Sequence, residues 1–142
     1  MKRSILIVES SKALQYLITT ILEPKYVIKS VQNSRHAMQL FSSGYEADLV
    51  LLDIPNFETE NFELMDHILT SSIFSQVPVL VLSTNRSEAL KNSCLEAGVT
   101  DFLTKPFDPV FLLERVNQLL AENTLDVLLK RRNRIFNNLN IF

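Results

Sequence analysis

Residues able to do chemistry recur at the ends of short apolar runs. The run at 5–8 leads into Glu9, Ser10 and Ser11; that at 49–52 ends on Asp53; that at 79–82 ends on Ser83 and Thr84; and 100–103 leads into Thr104, Lys105 and Pro106. A carboxylate can attack a phosphoryl group, a second acid can help to hold Mg²⁺, and hydroxyl and ammonium groups can bind phosphoryl oxygens. Brought to one place, the set describes phosphoryl transfer. Asp53 is the sharpest case, because it closes a run that otherwise reads as buried on both faces, with Pro55 close behind it.

Positioning such a set requires a scaffold whose strand ends converge. Residues 4–8, 26–31, 48–53, 78–83 and 100–103 read as strands, and 11–22, 33–42, 60–70, 86–97 and 108–122 as helices. This is a βα unit repeated five times. Continuous rather than alternating hydrophobicity in the first, third and fourth strands implies a central parallel sheet covered by helices on both sides. In such doubly wound sheets, reactive groups collect at the carboxyl ends of the strands, near the reversal of strand order. The only two glycines, Gly44 and Gly98, fall just past helical runs, where left-handed caps are expected. Asn85, three residues before Glu88, reads as a capping-box start for the fourth helix.

The 142 residues, 46% hydrophobic, are enough for one domain with a single substantial core. The formal net charge is −2, divided into −6 over residues 1–129 and +4 over 130–142, where Lys130, Arg131, Arg132 and Arg134 meet no acid. Residues 1–122 are therefore expected to form the domain and 123–142 a basic, helical extension or linker. Four charges on a solvated face give little reason to expect nucleic-acid or membrane binding. No apolar run approaches the ~20 residues of a membrane span, nor is there a signal-peptide core, so a cytoplasmic location is expected. Cys94 reads as core filling, and His36 and His67, isolated in helical patterns, as solvent-exposed.

In order along the chain, "ILIVESS", "DLVLLDI", "PVLVLST" and "EAGVTDFLTKPFDP" resemble the motifs of the response-regulator receiver domain of two-component signalling, over about residues 2–120. The likeness is to the single-domain chemotaxis regulators. It implies a flavodoxin-like fold with strand order 2-1-3-4-5. It also implies that Asp53 accepts phosphate from a histidine kinase or phosphotransfer protein and that Lys105 contacts the phosphoryl group across a cis peptide to Pro106. Ser83 would supply the hydroxyl that moves toward the phosphoryl group and Phe102 the switch aromatic. Glu9, Asp53 and the main-chain carbonyl of Pro55 would hold Mg²⁺. Such a domain is a phosphoacceptor rather than a turnover enzyme; its downstream partner or output domain would meet helix 4, strand 5 and helix 5, and a homodimer is compatible with it.

Several positions depart from the family pattern. Ser10 stands where a second acid usually binds Mg²⁺ directly, and a neutral hydroxyl offsets less of the cost of dehydrating the ion, so a weakened metal site is expected. Phe57 and Asn61 replace a usual proline and glycine, and Asn61 is expected to tolerate positive φ. Pro55 fixes its own φ and has no N–H. Thr84 replaces a usual alanine and is expected to crowd the approach to Asp53. These departures support an alternative: a degenerate receiver acting as a phosphorylation-independent interaction or dimerisation module. Simpler readings also exist, with Asp53 capping a loop, Glu9 a solvated acid, Ser83 a strand-end hydroxyl and Phe102 ordinary packing. A flavin-binding flavodoxin is disfavoured by the short acidic turn at 9–13. An aspartate phosphatase is disfavoured by Pro55, which stands where an acid/base residue would be needed.

Overall fold

The computed structural model describes residues 2–121 and Arg132. In it, β1 (Ser4–Val8), α1 (Lys12–Leu22), β2 (Val27–Val31), α2 (Ser34–Ser42), β3 (Leu49–Asp53), α3 (Glu60–Thr70), β4 (Val79–Ser83), α4 (Glu88–Ala97), β5 (Asp101–Thr104) and α5 (Pro109–Leu120) follow in turn. All strand pairs are parallel, in the order β2-β1-β3-β4-β5. The five βα units and strand order agree with the sequence reading. The expected extension over 123–142 lies outside the described residues apart from Arg132.

Strand periodicity builds two cores from one sheet. Side chains alternate faces along a strand, so Leu6, Val8, Val50, Leu52, Val79 and Val81 point one way, onto Phe41 of α2, Met65 and Ile68 of α3 and Leu90 of α4. Ile5, Ile7, Leu49, Leu51, Leu80 and Leu82 point the other way, onto Ile18 and Leu22 of α1 and Leu112 and Val116 of α5. Because β1, β3 and β4 are buried on both faces, they need apolar residues at nearly every position. Each fully buried side chain of this size contributes about 1.5–3 kcal/mol relative to exposure. The edge strand β2 has a neighbouring strand on one side only, and its Val27 and Lys29 are exposed, while Val31 and Ile28 pack against opposite cores.

Five polar residues start the five helices. Ser11, Asn33, Thr59, Ser87 and Asp108 each accept a hydrogen bond from a backbone N–H in the first turn. Ser11, Asn33 and Asp108 are thus caps rather than first helical residues. The expected capping role of Asn85 is not what the chain adopts. Ser87 caps α4, and Asn85 instead accepts from the Ser87 N–H at 2.8 Å, so its side chain shapes the turn before the cap. His67 is exposed as expected, whereas His36 is half-buried.

Gly98 ends α4 with φ of 116°, and its N–H donates to the carbonyls of Cys94 and Leu95. An added Cβ would meet only Leu69, at 3.8 Å, so crowding is not the objection to a larger residue there. Backbone strain is, and Gly98→Ala is expected to lose about 1–2 kcal/mol in urea unfolding. Cys94 is wholly buried, as expected of a core residue, and burial pushes its thiol up to about 11, with Asp66 adding in the same direction. A thiol reagent at pH 8 is expected to leave the native chain unmodified and to label Cys94 only at the unfolding transition. Since the raised folded value favours the neutral thiol, its contribution to stability is full below the ordinary value of 9.0 and is lost as pH rises toward about 11.

Candidate functional site

The ladder continues one step beyond the strands and so fixes the residues that follow them. The Glu9 N–H donates to Val31 O at 3.0 Å, Ile54 N–H to Leu82 O at 3.0 Å, and Lys105 N–H to Ser83 O at 2.7 Å. The backbones of Glu9, Asp53 and Lys105 are therefore held at one edge of the sheet, just after β1, at the end of β3 and just after β5. The Lys105-Pro106 peptide is cis.

Their side chains meet. Lys105 Nζ donates to Glu9 Oε1 at 2.8 Å and to Asp53 Oδ1 at 2.9 Å, so one ammonium bridges two carboxylates separated by 44 residues in the chain. Glu9 is 3% exposed, Lys105 12% and Asp53 14%, which makes Asp53 the carboxylate that solvent reaches more readily. Burial pushes the Glu9 carboxyl up from its ordinary range; the Lys105 hydrogen bond pulls it back, and the charge of Asp53 pushes it up again. The other Glu9 oxygen, Oε2, is buried with no hydrogen-bond partner among the described residues.

Around this trio the remaining sequence candidates take distinct positions. Ser83 is fully buried, and its Oγ accepts from the Asn85 N–H at 3.0 Å. Phe102 is 6% exposed and packs into the core shared by α2, α3 and α4. Ser10, Pro55 and Thr84 are exposed. Asn61 does not adopt the positive φ expected of it: it lies inside α3, which requires right-handed backbone, and its side chain is the useful part. Its amide donates to Asp53 O at 2.7 Å. The sequence reading missed Gln15 altogether, whose amide donates to Glu9 O at 2.6 Å and Val31 O at 3.1 Å. A polar residue in an amphipathic helix carries no signal for such a contact.

The donor set fits a magnesium-class ion. Two carboxylates converge, and one offers a buried oxygen with no other partner; Mg²⁺ commonly takes one or two protein carboxylates and completes its shell with water and phosphate oxygens. Ser10, exposed and neutral, adds no charge to that set.

A parallel five-stranded sheet with acids and a lysine at its carboxyl edge is the receiver architecture. The family model of the response regulator receiver domain matches residues 5–117, and the chain belongs to that family. It is 26% identical over 117 residues to two-component response regulator ORR7 of Oryza sativa subsp. japonica, covering 82% of this chain and 56% of that protein. The chain thus spans little more than half the length of that relative. A response regulator from Thermotoga maritima superposes with a TM-score of 0.75 at 27% identity, covering 86% of this chain and all of the other. The Mn²⁺-bound form of response regulator Rcp1 does so with a TM-score of 0.69 at 25% identity, covering 82% of this chain and 91% of the other. No helix among the described residues is long and apolar enough to cross a membrane.

The hydrogen bond and charge of Lys105 oppose the rise that burial and the charge of Asp53 impose on the Glu9 carboxyl. In Lys105→Met, with metal chelated, that lowering influence is gone and Glu9 is pushed further up. A raised carboxyl contributes stability that is full below the ordinary value of 4.5 and is lost as pH rises through the folded value. Urea unfolding of Lys105→Met, compared with Lys105→Met/Glu9→Gln, is therefore expected to show a loss as pH rises from 4.5 toward 8. The loss should be about 1.4 kcal/mol for each unit by which removal of the lysine raises Glu9. Parallel pH profiles for the two variants would show that Lys105 does not hold Glu9 ionised.

Proposed function

We propose that Asp53 accepts a phosphoryl group from a histidine kinase or a phosphotransfer protein, and that the domain relays this event to a downstream protein. The observation that carries the reading is the placement of Lys105 Nζ, 2.9 Å from Asp53 Oδ1 and 2.8 Å from Glu9 Oε1. The ammonium is already where charge would accumulate during transfer, and preorganised charge of this kind is the largest single contribution to many transfer reactions. One Asp53 oxygen attacks phosphorus, the P–N bond to the donor imidazole breaks, and the electron pair leaves with the imidazole. Lys105 then holds a phosphoryl oxygen.

Glu9, Asp53 and the main-chain carbonyl of Pro55 would hold Mg²⁺, which when bound offsets the negative charge of the phosphoryl oxygens. The Mn²⁺-bound form of Rcp1 supports a divalent cation here. Ser83 Oγ accepts from the Asn85 N–H and keeps its own O–H to donate, so a hydroxyl that moves toward the phosphoryl group would carry the turn before α4 with it or stretch that bond. Phe102, buried in the core that α4 borders, would serve as the switch aromatic. The resulting shift of a two-state equilibrium is read on α4, β5 and α5 by a partner protein, an output domain or a second copy. The domain is a phosphoacceptor with at most self-catalysed transfer and hydrolysis, working in the cytoplasm.

The test is intact-mass spectrometry after incubation with Mg²⁺ and a small acyl phosphate. One phosphoryl adduct is expected on the native chain and none on Asp53→Ala, and Ser10→Asp should reach the same occupancy at lower Mg²⁺. An adduct that survives Asp53→Ala would remove Asp53 as the acceptor. No adduct on the native chain, together with one on Ser10→Asp, would instead indicate a receiver that works by binding alone, a reading that the comparisons do not support.

A further inference from the structure

Two side-chain amides make the same contact at the two acids of the site. Gln15 Nε2, from α1, donates to the main-chain carbonyl of Glu9 at 2.6 Å, and Asn61 Nδ2, from the first turn of α3, donates to that of Asp53 at 2.7 Å. Each amide belongs to the helix that follows the strand carrying the acid, so each bond closes a loop of six or eight residues between strand end and helix. Gln15 also donates to Val31 O at 3.1 Å, tying the end of β1 to the end of β2.

We propose that Gln15 and Asn61 are positioning residues, which pin the backbone of Glu9 and Asp53 and thereby set the two carboxylates at the separation that Lys105 bridges. The proposal rests on the reading of Glu9, Asp53 and Lys105 as the reaction centre. Both acids stand where the ladder ends. Beyond that point a carbonyl has no strand partner to define it, and a buried carbonyl without a partner is costly. A rotation of the peptide plane at either acid would swing the carboxylate away from the lysine. A donor fixed on the next helix prevents that rotation. The loop closed by Asn61 is further stiffened from within, because Asn56 O accepts from Thr59 Oγ1 at 2.9 Å and Asn56 Oδ1 accepts from the Phe57 N–H at 2.9 Å. Pro55 lies on that same loop, so its carbonyl, a ligand in the proposed metal site, is also placed through Asn61.

The test compares the native chain with Gln15→Met, Asn61→Leu and the double variant, which keep bulk and remove the donors. The first readout needs no metal and no phosphodonor: the ¹⁵N–¹H signal of the Lys105 ammonium, which its bonds to Glu9 and Asp53 are expected to protect from exchange with water in the native chain. Each single variant is expected to speed that exchange at least fivefold in fully folded protein, and the double variant more. General destabilisation would move the urea midpoint without moving this signal. The second readout is Mn²⁺ alone, followed by water-proton relaxation, with affinity expected to fall at least fivefold in each variant. Native ammonium exchange in both folded single variants would overturn the proposal, whatever the native chain does with phosphodonor. Failure of the native chain to bind Mn²⁺ or take up phosphate, with the ammonium signal still moving as expected, would overturn the reading of the centre while supporting the two clamps. Should an apolar variant not fold, Gln15→Ala and Asn61→Ala carry the same comparison with the same outcomes, alanine being the best helix former.

Discussion

A single ammonium between two nearly buried carboxylates is the constraint on which the rest of the molecule depends. Charges removed from water are costly unless paired at good geometry, and here one lysine serves two acids, which leaves the cluster with a formal charge of −1. The arrangement tolerates little displacement, since loss of either contact would strand a carboxylate in a site that water barely reaches. It also leaves an affinity for further positive charge. The unpartnered Oε2 of Glu9 is where that residual demand shows most directly.

Everything about the sheet follows from the need to hold that cluster. Glu9, Asp53 and Lys105 come from the residue after β1, the end of β3 and the residue after β5, so their relative positions are fixed only if the intervening register is fixed. Parallel strands buried on both faces achieve this, because a slip of one residue would move every apolar side chain from one core to the other. The two cores are of similar make-up, and neither tolerates the exchange, since the residues of α1 and α5 are shaped against one face and those of α2, α3 and α4 against the other. Core hydrophobicity and site precision are thus one requirement seen at two ends of the same strands.

That coupling explains what could be read from the chain and what could not. The meeting of Asp53, Glu9 and Lys105 was legible because each is a polar interruption at or just past the end of an apolar run, and a run's end is a one-dimensional feature. Gly98 was legible for the same reason, marking where α4 must stop. Ser87 was missed as the cap of α4 because Asn85 satisfies the same spacing rule; only the turn that Asn85 itself shapes decides between them. Gln15 and Asn61 were not legible as clamps, since a side-chain amide reaching a carbonyl six or eight residues back depends on the path of the loop between them. Asn61 was read through its backbone freedom, whereas its donor group is what the fold uses.

The departure at Ser10 acts in two directions at once. A second carboxylate beside Glu9 would give the cluster a formal charge of −2, with Lys105 left to satisfy three acids. With serine there, exposed to solvent, the metal-free cluster is closer to neutral and self-repulsion is smaller. The same change weakens the attraction for a divalent cation, which gains most from opposing charge when it sheds water. On the proposed reading, such a pocket would depend less on metal for its own integrity and would need a higher metal concentration to draw in a phosphoryl group. The balance between those two effects is set by how rigidly Glu9 and Asp53 are held, because a preorganised pair of carboxylates loses less on closing around an ion than a mobile one. Rigidity supplied by the backbone of the β1–α1 and β3–α3 loops can in this way compensate for charge that the sequence no longer provides.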